Sequence, residues 1–95
     1  MTEKEHLLIC LAEECAEVIY EVTKSLRFGL DDYQPDYAPN EERLSDEMND
    51  LMGVVNLLQE RGVKIKLDAG KMVKKREKVL KYINYAHEKG ILTKN

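Results

Sequence analysis

The fold turns on Glu13-Glu14-Cys15-Ala16-Glu17 and its echo, Asp46-Glu47-Met48-Asn49-Asp50. Each stretch sits in a run that reads as helix. Each sets two carboxylates three residues apart, Glu14 with Glu17 and Glu47 with Asp50. At about 100° per residue, positions i and i+3 share a helix face, so each helix offers a matched pair of acids. One such pair is common and usually means a solvated face. Two matched pairs on consecutive helices joined by a loop are rarer, and antiparallel packing would bring four carboxylates together. Such a cluster repels itself unless a cation sits in it. The spacing therefore predicts a magnesium site of Glu14, Glu17, Glu47 and Asp50 on an all-α scaffold.

Outward from the first acidic stretch, Leu7, Leu8, Leu11, Cys15, Val18, Ile19, Val22 and Leu26 recur at helical spacing and predict a helix from about Glu3 to Phe28. Thr2 with Glu5 has the form of a capping box, and Gly29 of a C-terminal stop. Glu14, Glu17 and Glu21 fall within about 60° of one another, bordered by Leu11 and Val18. Glu13 points about 100° away from Glu14. Residues 29–39, rich in Gly, Pro and Asp, read as a loop, with Tyr33 and Tyr37 expected to pack on helix ends or to meet a ligand. Asn40 is expected to cap the second helix, which runs to about Arg61 with Leu44, Met48, Leu51, Met52, Val55 and Leu58 as its apolar face. Arg43 lies one turn before Glu47. Val63 to Leu67 alternates like a strand but has no partner, so it reads as a connector. A third helix is expected over Leu67–Lys89. Met72, Val73, Val79, Leu80, Ile83 and Ala86 form its apolar side, and Lys71, Lys74, Lys75, Arg76, Lys78 and Lys81 make it strongly basic. Ile91 and Leu92 are expected to tuck back, and Thr93 to Asn95 to fray.

A chain of 95 residues predicts one domain with a modest core. Apolar stripes on more than one side of long helices fit an oligomer. No apolar run approaches a membrane span, and Met1 to Glu5 is mixed in charge, unlike a signal peptide, so a cytoplasmic protein is expected. Cys10 and Cys15 lie about 140° apart on one helix and read as small buried residues rather than a disulfide. His6 and His87 join no Cys/His cluster of the kind zinc needs, and the Glu-x-x-His pairs of a di-iron bundle are lacking beyond Glu3–His6 at the terminus. The net charge of −3 hides an asymmetry: residues 1–60 carry 15 acids against 4 Lys or Arg, and residues 61–95 carry 3 against 11. The first half suits cations and the second suits phosphates, unless the halves simply neutralise each other.

Carboxylates without His or Cys favour magnesium, with manganese as a substitute, over zinc or copper. Magnesium commonly shares its ligands with substrate phosphates, which points to nucleotides. Arg43 and the basic third helix are the natural sources of charge for the phosphates, with Lys24 and Arg27 as weaker ones. Phe28, Tyr33, Tyr37, Asn49 and Asn56 are candidates for contacting a base.

The pattern Glu-Glu-x-x-Glu, a loop, then Glu-x-x-Asp resembles the MazG-like all-α nucleoside triphosphate pyrophosphohydrolases. Asp50-Leu51-Met52-Gly53-Val54-Val55-Asn56-Leu57 is similar to the segment after that family's second acidic motif, and Lys71-Met72-Val73-Lys74-Lys75-Arg76 to its basic motif. The likeness covers roughly residues 7–82 and is closest to the compact single-domain members. It implies a helical bundle that forms a homodimer or homotetramer, magnesium dependence, and cleavage of NTPs, with dNTPs favoured, to NMP and pyrophosphate. By motif position, Glu14, Glu17, Glu47 and Asp50 would hold the metal, and Glu13 and Asp46 would position or deprotonate the attacking water. Arg43, Lys71 and Lys75 would bind phosphate. Lys75 stands where arginine is frequent, so a bidentate contact is lost. The competing expectation is a non-enzymatic helical module that binds a partner or nucleic acid through the basic helix. The acidic half argues against stable nucleic-acid binding, since it would repel a phosphate backbone.

Overall fold

The computed structural model describes residues 1–93 and is all-α, with α1 at Glu3–Phe28, α2 at Asn40–Glu60 and α3 at Ala69–Glu88. No strand forms among the described residues, and Val63 to Leu67 is a connector. Among the described residues no helix is long and apolar enough to cross a membrane. The chain divides into two compact units, Met1–Ile65 and Lys66–Asn95. The expected fraying of Lys94 and Asn95 lies outside the described residues.

The first unit is an antiparallel helical hairpin. At one end Arg61, just past α2, donates from Nε to Glu3 Oε2 at 3.0 Å; at the other, Asn40 Nδ2 donates to the carbonyl of Gly29 at 2.9 Å. Thr2 caps α1, its Oγ1 accepting from the Glu5 N–H at 3.1 Å. Gly29 ends α1 with φ +106°, and its N–H donates to the Ser25 carbonyl. A side chain there would face both a disfavoured backbone and Asp31 Oδ1, 3.0 Å from where its Cβ would stand.

Two rows of side chains make the hairpin. On α1, Leu7, Leu11, Glu14, Val18, Glu21 and Ser25 are buried or half-buried; on α2, Asn40, Leu44, Glu47, Leu51, Val54 and Leu58 are. Both rows step by four and three residues in alternation, the spacing of a coiled-coil seam. Among the described residues buried apolar side chains are few, Val55 and Leu58. The seam differs from the expected apolar stripe of α1. Leu8, Cys15, Ile19, Val22 and Leu26 are exposed, so Cys15 is not the buried residue expected, while Cys10 is half-buried. Met48, expected on the apolar face of α2, is exposed as well.

The start of α2 also differs from expectation. Asn40 is the first helical residue, and Pro39 occupies the cap position, with no side-chain bond. The N–H groups of Asn40 and Glu41 instead donate to the carbonyls of Asp32 and Leu30, so the loop caps the helix with its own backbone. Asn40 is freed to turn inward and is 3% exposed. Within the loop, the Tyr37 N–H donates to the Gln34 carbonyl across Pro35 and Asp36, and Asp36 has φ +69°. Proline followed by a residue at positive φ is the pattern of a type II turn.

In the second unit, Asp68 caps α3, its Oδ1 accepting from the Lys71 N–H at 2.9 Å. The expected start at Leu67 moves to Ala69, because Asp68 is drawn out of the helix by this bond. Every side chain of α3 is exposed except half-buried Ala86. Ile91 donates its N–H to the Ala86 carbonyl and stays 73% exposed, so the expected tucking of its side chain is not seen.

Candidate functional site

The seam rows carry acids where a helical hairpin ordinarily places apolar side chains. Glu14 stands between Leu11 and Val18 on α1, and Glu47 between Leu44 and Leu51 on α2. The antiparallel register brings them together near mid-helix, and Asp50 joins them one turn on. Glu14, Glu47 and Asp50 each offer a carboxylate oxygen, all within 4.8 Å of one another. Glu14 and Glu47 are half-buried and Asp50 is exposed.

The cluster is electrostatically strained. Partial burial in the seam pushes the Glu47 carboxyl above the usual carboxylate range, and the charges of Asp50, Glu17, Glu14 and Glu21 push it the same way. Glu17 is exposed and outside the close group of three, yet near enough for its charge to be felt at Glu47. A divalent cation would relieve this repulsion, and a set of carboxylate oxygens alone suits a hard ion such as magnesium. The residues present therefore fit the metal that the sequence points to.

A shallow crevice adjoins the acids, lined by Asp36, Tyr37, Ala38, Arg43, Asp46 and Glu47. It shares Tyr37, Ala38 and Arg43 with a more enclosed cavity of about 180 Å³, whose walls include Tyr20, Phe28, Lys24 and Asn40. Arg43 thus belongs to both spaces. Its guanidinium lies 5.0 Å from the Tyr37 ring centre, within cation–π range, and its Nε meets Glu21 Oε1 at 3.4 Å.

The expected residues are distributed unevenly. Asp46 is exposed and lines the crevice beside Glu47. Glu13 is exposed on α1, about a quarter-turn round from Glu14. Phe28 and Tyr37 line the cavity, whereas Tyr33, Asn49 and Asn56 are exposed. Lys24 is half-buried beside Glu21, and Arg27 lies over the Phe28 ring at 4.8 Å. Lys71 and Lys75 are exposed on α3, one turn apart. Sequence reasoning missed Tyr20 and Asn40 as cavity residues, and Glu21 as a buried one. Tyr20 carries no signal in the chain. Glu21 does, since it continues the Leu7, Leu11, Glu14, Val18 steps that define the seam.

No family model matches this chain, and no curated protein or solved structure matches it either.

Proposed function

We propose that the protein is a magnesium-dependent nucleoside triphosphate pyrophosphohydrolase, with dNTPs as favoured substrates, acting as a homodimer or homotetramer. The observation that carries this reading is the meeting of Glu14, Glu47 and Asp50 within 4.8 Å, in a seam where acids oppose folding unless a cation is held. The cavity supports a nucleotide in particular, because it sets aromatic rings beside two cations and shares Arg43 with the crevice that Glu47 lines.

In this reading Glu14, Glu47 and Asp50 hold the metal, with Glu17 completing the set. Magnesium held there supplies a Lewis acid for the phosphoryl oxygens. Arg43 binds phosphate oxygens, and the nucleoside sits against Tyr20, Phe28 and Tyr37. Asp46 accepts a proton from a water as its oxygen bonds to the α-phosphorus, the α–β phosphoanhydride bond breaks, and pyrophosphate leaves. Glu13 orients that water from the α1 side. The parts given to Glu13, Glu17 and Asp46 rest on the sequence resemblance, which also implies phosphate binding by Lys71 and Lys75.

The test is incubation of the purified protein with each canonical NTP and dNTP plus magnesium, with the products resolved. NMP and pyrophosphate are expected, lost on chelation and in Glu47→Gln. No turnover on any of them, together with a gel shift on nucleic acid, would instead assign the chain to a binding module using the basic α3.

A further inference from the structure

Glu21 has no part in the reaction above, yet it is about 1% exposed, the most buried charged side chain among the described residues. As a bare stabiliser it would be a poor choice, since replacing buried ion pairs by apolar side chains is often neutral or stabilising. Its surroundings are those of a holder. Arg43 Nε donates to Oε1 at 3.4 Å, and Lys24 Nζ approaches Oε2 at 3.1 Å. Oε2 is buried but accepts no aligned hydrogen bond. One carboxylate thus gathers two cations from two helices, although they repel each other. Each cation also lies over a ring, Lys24 over Tyr20 at 5.2 Å and Arg43 over Tyr37 at 5.0 Å. All four of these residues line the same cavity. The Nε contact uses one of the five donors of Arg43 and leaves both terminal NH₂ groups for another acceptor. Asp32 lines this cavity too, but it is exposed, so water screens its charge.

We infer that Glu21 is a positioning residue whose buried carboxylate fixes Arg43 and Lys24 as a cation pair on the cavity wall, ready for the phosphate oxygens of a ligand. A second anion arriving there relieves the repulsion between the two cations, which a single carboxylate leaves incomplete. That the anion belongs to a triphosphate substrate rests on the function proposed above; the positioning itself does not.

The test uses the full chain and two readouts. Inorganic pyrophosphate without metal is expected to bind the wild type, and about 10-fold more weakly to Glu21→Gln and to Arg43→Gln, as loss of one charge-assisted contact would give. The double variant should lose less than the product of the two single losses, because Glu21 acts in part through Arg43 and in part through Lys24. In nitrogen-15 spectra the Arg43 Nε–H should exchange slowly with water in the wild type and rapidly in Glu21→Gln. With a turned-over triphosphate, Glu21→Gln should raise KM more than it lowers kcat. Pyrophosphate binding that follows Glu21 in a protein with no turnover would support the positioning role while removing the hydrolase reading. Turnover with KM and pyrophosphate affinity unchanged in Glu21→Gln, and only a lower melting temperature, would overturn the role and leave the hydrolase reading intact. Where Glu21→Gln does not fold, Glu21→Asp keeps the charge and withdraws it by one methylene. An Arg43 Nε–H that exchanges in the wild type as fast as that of exposed Arg27 would overturn the inference without any variant.

Discussion

Glu47 is the residue on which the site's electrostatics turn. Its carboxyl is raised by partial burial first and then by Asp50, Glu17, Glu14 and Glu21. A carboxyl raised on folding favours the folded state while it is protonated. That contribution is complete below its unfolded value and is lost as pH rises through the higher folded one. Metal-free protein should therefore lose stability over that window, measurable as a melting temperature that falls with rising pH. Glu47→Gln should flatten the fall and raise the metal-free melting temperature at neutral pH. The same substitution should lower hydrolysis by more than about 100-fold, since even partners that only orient metal ligands cost 10- to 100-fold when removed. A variant that melted lower than wild type without metal, and kept its activity, would reduce the cluster to a solvated face.

At the scale of the element, the start of α2 is held by an arrangement that propensity does not foretell. Asn40 is buried and its amide carries the bond to the Gly29 carbonyl, tying the end of α1 to the start of α2. Asn40→Ala would leave that carbonyl short of a donor and should destabilise the hairpin by about 1–3 kcal/mol in denaturant unfolding. Because Asn40 also lines the cavity, the loss should reach nucleotide affinity as well. A loss below about 0.5 kcal/mol, the size of an ordinary surface change, would show that the loop carbonyls of Asp32 and Leu30 fix the helix start unaided.

Each of the two units leaves much apolar surface uncovered. On α1, Leu8, Ala12, Cys15, Ile19, Val22 and Leu26 form a second row with the same alternation of four and three, and all are exposed. On α3, Met72, Val73, Val79 and Leu80 are exposed too. A row of this kind is a seam awaiting a helix. Sedimentation should show self-association, and Ile19→Asp, which puts a charge into the open row, should shift the population toward monomer. Monomer at every concentration in the wild type would mean that the row has some other use. Magnesium supplies a second whole-molecule measurement. At about 100 times its dissociation constant it should stabilise the fold by roughly 2.7 kcal/mol, and by much less in Glu14→Gln.

Periodicity, caps and breakers make the three helices legible in the chain itself: Thr2, Gly29, Asp68 and Gly62 stand within a residue or two of the ends they mark. These are local signals, set by backbone geometry and by hydrogen bonds spanning three or four residues. The paired acids are legible for the same reason, because i and i+3 share a face on any helix. What the chain could not decide by itself was which of two apolar rows on α1 would be covered. Both have the spacing of a seam, and the row chosen contains Glu14 and Glu21 while the more apolar row stays open. That choice depends on the partner row of α2 and on a loop whose backbone bonds set the register, and both are non-local. It is also the choice that buries Glu21, sets Glu47 against Glu14, and places Arg43 between the acids and the cavity. The acids were written in the sequence; their convergence came from the packing.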